Sequence, residues 1–207
     1  MSQQLPALFI ADSPGLDFLN SVATPVDVPV DWIDDGEGLL AWLDQAQLVP
    51  RADLDRIRDR AMPGELNTIA AQVRDLRDWF RSFVRQHKGK PLTTAVLGEL
   101  GPLNHLLERD EMYGKVVARE DAEGLRLALK SLRRWRSPES LLQPIGEVMA
   151  TLLTRENFSY VKACEGPACT LLFADHTRGH TRRWCSMEIC GNRAKQAAHR
   201  NRLKDQR

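Results

Sequence analysis

Cys164, Cys169, Cys185 and Cys190 are the residues in this sequence best suited to chemistry. They follow the pattern C-x4-C-x15-C-x4-C, and the first 163 residues hold no cysteine. Each close pair forms one chelating turn, and the spacer brings the chain back so that the two turns face each other around a tetrahedral ion. Four thiolates would leave no open position for water, so the site is structural rather than catalytic. Zinc is the ion expected, ahead of an iron–sulfur cluster or plain reduced core thiols. In a reducing cytosol such a cluster favours metal over disulfides.

The charge of the chain is segregated around these cysteines. Residues 176–207 hold nine Lys and Arg against Glu188 and Asp205, whereas the whole 207-residue chain nets only +1. A basic block of this kind is the electrostatic footprint of a polyanion partner, with a solvated tail as the plain alternative. Within the block, "LLFADH" reads as a strand, "TRGHT" as a turn and "RRWC" as a returning strand, with Trp184 covering the metal. From Cys190 onward "CGNRAKQAAHRNRLK" reads as a helix, its Ala194, Ala197 and Ala198 packing on the hairpin. A segment of about 40 residues has too little core to hold that helix, whereas zinc contributes roughly 10–16 kcal/mol in small finger peptides. The metal would therefore position arginines without touching a substrate.

The elements ahead of the block are mainly helical. "SPGLDFLNSVA", "DGEGLLAWLDQAQLV", "RADLDRIRDRAM" and "ELNTIAAQVRDLRDWFRSFVRQHKG" carry apolar residues at three-to-four spacing, with Arg and Asp assigned to the outer face of the last. A further helix breaks at Gly101-Pro102, and another starts near Ser137-Pro138. "MYGKVVAR" and "LRLALKSLRRW" flank a turn-rich gap and predict a β-hairpin. "ALFIAD" reads as a short extended entry or strand. The expected fold is mainly α with a small β-hairpin, an α+β chain. A helical N-terminal domain (1–158) would precede a C-terminal zinc-binding ββα module (159–207).

The stretch "CEGPACTLLFADHTRGHTRRWCSMEICGNRAKQAAHR" resembles the CGNR zinc-finger family, named for the run Cys190-Gly191-Asn192-Arg193. "GLDFLNS" and "LLAWLDQAQLV" are similar to the ABATE domain that usually precedes this finger. Proteins of this type are regarded as stress-induced transcription regulators, so the resemblance implies DNA binding.

Phosphate contacts are expected from Arg178, Arg182, Arg183, Arg193, Arg200, Arg202 and Lys204. Asn192 and Gln196 have the chemistry to read base edges, although capping and solvent exposure are their simpler roles. The resemblance favours duplex DNA over RNA, and the lack of a series of stacking aromatics beside the basic residues points the same way. A basic surface that grips an acidic protein is the third reading. In the front domain, Asp17 and Asn20 lie three apart on one helix face and, with Trp32, Trp42 and Trp79, would line a pocket for a small-molecule effector. Their simpler role is to bind local backbone. Forming a homodimer and binding another protein are the other uses for so large a front domain. No phosphate loop, dinucleotide fingerprint or nucleophile motif supports an enzyme. With neither a signal peptide nor a long apolar run, the protein is expected in the cytoplasm.

Overall fold

The computed structural model describes residues 6–25, 28–121 and 124–205, without the side chains of 201 and 203–205. Short α1 (Pro14–Leu19) leads into a two-residue strand pair, β1 (Val22–Ala23) and β2 (Val30–Asp31). Helices α2 (Gly36–Gln45), α3 (Arg51–Arg60) and the long α4 (Glu65–His87) follow. A 3₁₀ turn and α5 (Gly101–Leu107) precede the antiparallel ribbon of β3 (Met112–Asp121) and β4 (Gly124–Arg133). Helix α6 (Leu142–Arg155) then leads to the cysteine-bearing segment, with β5 (Val161–Ala163), β6 (Leu172–Ala174), a π-helical turn (Met187–Gly191) and α7 (Asn192–Asp205). No helix among the described residues is long and apolar enough to cross a membrane.

Helix α1 lies at the centre of the packing, against α6, α4 and β6. The approach to α6 is close. A Cβ at Gly15 would sit 2.6 Å from the Val148 carbonyl oxygen and 2.8 Å from Leu152 Cβ, so only glycine fits there. The side of α1 facing β6 is fixed by Asn20, whose Nδ2 donates to the Leu172 carbonyl (2.8 Å) while its Oδ1 accepts from the Leu172 N–H (2.9 Å). One amide side chain thus completes both backbone groups of a strand residue 152 positions away, meeting the demand that buried polar groups be paired.

Helix α4 departs from the outward placement expected of its arginines. Arg77 and Arg81 fall on the apolar stripe with Val73, Phe80 and Val84 and are buried. Arg77 binds both Asp31 carboxylate oxygens (2.8 and 2.6 Å) and Ser21 Oγ (2.9 Å), tying α4 to β2. Arg81 donates to the carbonyls of Leu19, Val22 and Thr170 at 2.6–2.8 Å. Burial and the nearby charges of Arg85 and Arg77 lower its pKa to about 10, which leaves it protonated at neutral pH. The inward turn of Arg81 thus supplies donors to two carbonyls of the 19–22 bend, while Arg77 pairs with the Asp31 carboxylate and the Ser21 hydroxyl.

The "ALFIAD" segment is extended, and Ala174 N–H donates to its Ala11 carbonyl (2.9 Å), but it forms no strand. The Ala11 N–H is taken instead by Asp17 Oδ1 (3.0 Å), and Asp12 adopts a left-handed φ of 59°. The cysteine segment also differs from the hairpin expected. β6 pairs antiparallel with β5, in the register Val161↔Ala174, and "RRWC" is not a strand. Asp175 explains this. Its Oδ2 captures the Arg182 N–H (2.9 Å) and the Lys162 ammonium (2.7 Å), replacing the ladder bond a strand would have made.

Buried residues form one continuous core that runs from Leu16 and Phe18 through Phe80 and Met149 to Phe158, Leu172, Phe173 and Cys185. The division placed at 158/159 from sequence therefore crosses a shared apolar interior. Gly89 N–H also bonds the Phe158 carbonyl (2.8 Å), and Thr24 N–H bonds Thr170 Oγ1 (2.9 Å).

Candidate metal centre and basic face

The four cysteines converge. Their sulfurs all lie within 4.8 Å of one another, and none is in a disulfide. Cys169 Sγ and Cys185 Sγ are 3.9 Å apart. A tetrahedron with metal–sulfur bonds of about 2.3 Å has edges of about 3.8 Å, so the spacing suits a four-coordinate ion. Backbone amides point at the sulfurs as they do around thiolates: Cys185 N–H lies 3.3 Å and Gly166 N–H 3.5 Å from Cys164 Sγ. Gly166 is needed in that loop, because a Cβ there would come within 2.9 Å of Cys190 Sγ and 3.0 Å of Cys169 Cβ.

The protonation chemistry of the set fits a cation. The hydrogen bond shared between Cys169 and Cys185 pulls the Cys169 thiol down despite its partial burial. The same shared proton, together with burial, pushes Cys185 up. Burial first, then its contact with Cys164, pushes Cys190 up to about 12. Four such groups cannot all ionise at this distance unless a cation replaces the protons between them. Cys164, Cys169, Cys185 and Cys190 would hold that ion, which would supply structure and no open coordination position.

Around the sulfurs, Trp184 is half-buried and lines, with Cys169, Cys190, Pro167 and Ala168, a groove of about 360 Å³ closed on its other side by α7. Ala194 and Ala197 face this groove rather than the β5–β6 hairpin, and Ala198 is exposed. Cys190 sits in the π-helical turn from which α7 grows, and Ser186 Oγ caps that turn by accepting from Ile189 N–H (3.0 Å).

The structure distributes the expected phosphate contacts unevenly. Arg193, Gln196, Arg200 and Arg202 are exposed on α7, and Asn192 is exposed at its first position. Arg193 also reaches the Pro25 carbonyl (3.5 Å). Lys204 lies in the last turn of α7, with its side chain outside the described residues. Arg178 is exposed in the 176–180 turn. Arg183 is exposed, pairs with Glu165 and lies 5.1 Å over the Trp184 ring. Arg182 is not on this face. It pairs with Asp12, donates to the carbonyls of Ile10, Trp184 and Cys185, and stacks 4.3 Å over Phe173. Its donors are consumed in fastening the N-terminal segment to the cysteine segment, a role that the strand reading of "RRWC" concealed.

Nearby, Asp175 is fully buried. Burial alone would raise its pKa. Hydrogen bonds from Lys162, Thr177 and the Arg182 amide outweigh that and hold it well below the usual carboxylate range. His180 stacks flat on Tyr160, with ring centroids 3.5 Å apart, and His176 meets Glu156 (2.8 Å), so neither approaches the sulfurs as a ligand.

The five residues expected around an effector do not meet in one cavity. Asp17 and Trp42 share a hollow of about 290 Å³ with Phe9, Pro14 and Leu48. Asn20 faces β6, Trp32 is buried, and Trp79 is half-buried against Phe80. Burial raises Asp17 from 3.8 to about 6, against the lowering effect of the Ala11 and Ile10 amides. The folded state thus binds this proton more tightly than the unfolded state. The associated stability is fully present below about pH 4 and is lost as pH rises through about 6. Asp17→Asn keeps an oxygen for the Ala11 amide without the charge. Thermal unfolding of this variant is expected to exceed wild type by on the order of 2–3 kcal/mol at pH 8 and to match it at pH 4. Parallel pH profiles for the two proteins would refute this assignment.

Comparison with protein families agrees with this construction. The model of the CGNR zinc finger matches residues 160–203, the span that holds all four cysteines and most of α7. The ABATE model, whose description is "Putative stress-induced transcription regulator", matches residues 12–156. No curated protein matches the chain. With the second match covering well over half of its length and the first covering the metal centre, the chain belongs to the ABATE family and carries a CGNR zinc finger.

Proposed function

We propose that the protein is a transcription regulator that binds duplex DNA through α7, held in place by a structural zinc ion on Cys164, Cys169, Cys185 and Cys190. The observation that carries this reading is the placement of the cysteine cluster at the root of a helix whose exposed side chains are cationic. Asn192–Asp205 holds five Lys and Arg against one acid. Such a helix is polar almost all round and has little to fold against, so an anchor at its first turn supplies the order it lacks. Arg193, Arg200 and Arg202 would meet phosphates, with Arg183 and Arg178 extending the track beside Trp184. Asn192 and Gln196 would reach base edges if α7 entered a major groove.

The helical part would report an effector to this reader through α1. Asp17 on that helix lines the hollow beside Trp42, and Asn20, which caps the same helix, holds β6. A ligand that shifts α1 would therefore strain the strand beside the metal centre.

The test is duplex binding measured by fluorescence anisotropy across a salt series. Affinity should fall steeply with salt, and Arg193→Ala/Arg200→Ala should weaken binding while flattening the log–log slope by about 2. Binding that ignores salt, or a slope unchanged in the double variant, would remove α7 from the interface. Tighter binding to single-stranded RNA than to duplex DNA would reject the choice of duplex DNA.

A further inference from the structure

The β3–β4 ribbon has one largely apolar face that stays exposed among the described residues. In the register Val116↔Leu129 and Ala118↔Leu127, residues opposite one another share a face. One face therefore carries Met112, Val116, Ala118, Leu125, Leu127 and Leu129, with Glu120 at its turn end and Arg133 at its base. The other carries Lys115, Arg119, Arg126 and Lys130 around the half-buried Val117 and Ala128. The apolar face is the open one. Leu125, Leu127 and Leu129 are 76%, 79% and 78% exposed, Val116 is 62% exposed and Met112 is 49% exposed. Three leucines in a row at this exposure are far from the scattered apolar residues of an ordinary surface. A two-stranded ribbon is marginal by itself, and its exposed leucines lie beyond the base that Arg133 ties to Glu147 of α6, so this face needs a cover.

We infer that the apolar face of the β3–β4 ribbon is a homodimer interface, covered by the same face of a second copy of the chain. The size fits. These side chains offer roughly 600 Å² per copy, and two copies bury about 1,200 Å², which reaches the range of stable interfaces. The chemistry fits as well. The centre of the patch, from Val116 to Leu127, holds no charged side chain, so its occupant must be apolar and equally flat, and a two-fold axis supplies that surface from an identical chain. The cationic face opposite stays in water, which limits stacking to two copies and blunts open-ended association. This inference does not depend on what α7 binds.

The experiment is light scattering after size exclusion, on full-length metal-loaded protein from 1 to about 100 µM. Wild type should run at twice the 23.4 kDa chain mass. Leu127→Glu/Leu129→Glu should run at the single-chain mass. Leu127→Thr/Leu129→Thr, which keeps strand-forming residues, should shift the dissociation constant upward at least tenfold with unchanged circular dichroism and metal content. The threonine variant guards against misfolding of the charged one. A wild-type protein that is single-chain throughout the range overturns the inference. So does a dimer that persists with wild-type affinity in the threonine variant, because the contact would then lie elsewhere.

Discussion

Cys169→Ser is expected to leave less than a tenth of an equivalent of metal per chain and to melt α7, while the helical body stays folded. Cys169 is the half-buried member of the four, so serine removes a ligand without opening a deep cavity. Three thiolates facing one another without the fourth lose most of the affinity of a closed site. Helix α7 is then held by the groove beside Trp184 and the Arg193 contact with the Pro25 carbonyl, and its Ala194 and Ala197 bury too little to keep 14 residues helical. The body persists because its ties to 170–174 are independent of the ion: Asn20 holds Leu172, and Arg81 holds the Thr170 carbonyl. Elemental analysis with hydrogen exchange reads both halves of this result. Rapid exchange confined to the segment after Cys185, with slow exchange kept in α4 and α6, is the expected pattern. Retention of a full equivalent of metal would contradict the ligand assignment.

Arg182→Ala is expected to cost about 3 kcal/mol or more of stability and to leave the salt slope of DNA binding unchanged. The guanidinium joins the Asp12 carboxylate to the carbonyls of Ile10, Trp184 and Cys185, and it covers the Phe173 ring. Truncation strips several partly buried acceptors of their donor at once and leaves Asp12 without its cation, losses that mutational series put at about 1–3 kcal/mol per stranded group. A phosphate-binding arginine behaves oppositely, with a slope lower by about 1 and little change in stability. Chemical denaturation and the anisotropy series together distinguish the two. A normal unfolding midpoint with a reduced slope would return Arg182 to the nucleic-acid face.

The parts of this architecture legible in the sequence are those encoded locally. The C-x4-C pairs announce the cluster because a chelating turn is a short-range object. The helices α2 and α4 show their period, and the β3–β4 alternation shows a ribbon. What escaped is carried by long-range contacts. Nothing near Asn20 indicates that its amide completes Leu172, 152 residues on. "RRWC" alternates like a strand, but Asp175 takes the amide that pairing would have used. Arg77 and Arg81 did leave a signal. They stand four and eight residues after Val73, on the stripe that continues to Val84, and an arginine on an apolar stripe is a buried arginine in search of acceptors. The alternation of the ribbon predicts a hairpin, whereas the exposure of its leucines depends on how the other described elements pack, which only the assembled fold shows.

In the proposed function, a metal ion at the four cysteines makes α7 a preformed cationic surface for DNA. The most direct measurement compares duplex affinity, at one fixed salt concentration, for protein stripped by a chelator under reductant and for the same protein after one equivalent of zinc is returned. The account predicts that stripped protein binds at least tenfold more weakly and that a single equivalent restores binding together with the helicity of α7. Equal affinity in the two states, with α7 helical in both, would contradict it.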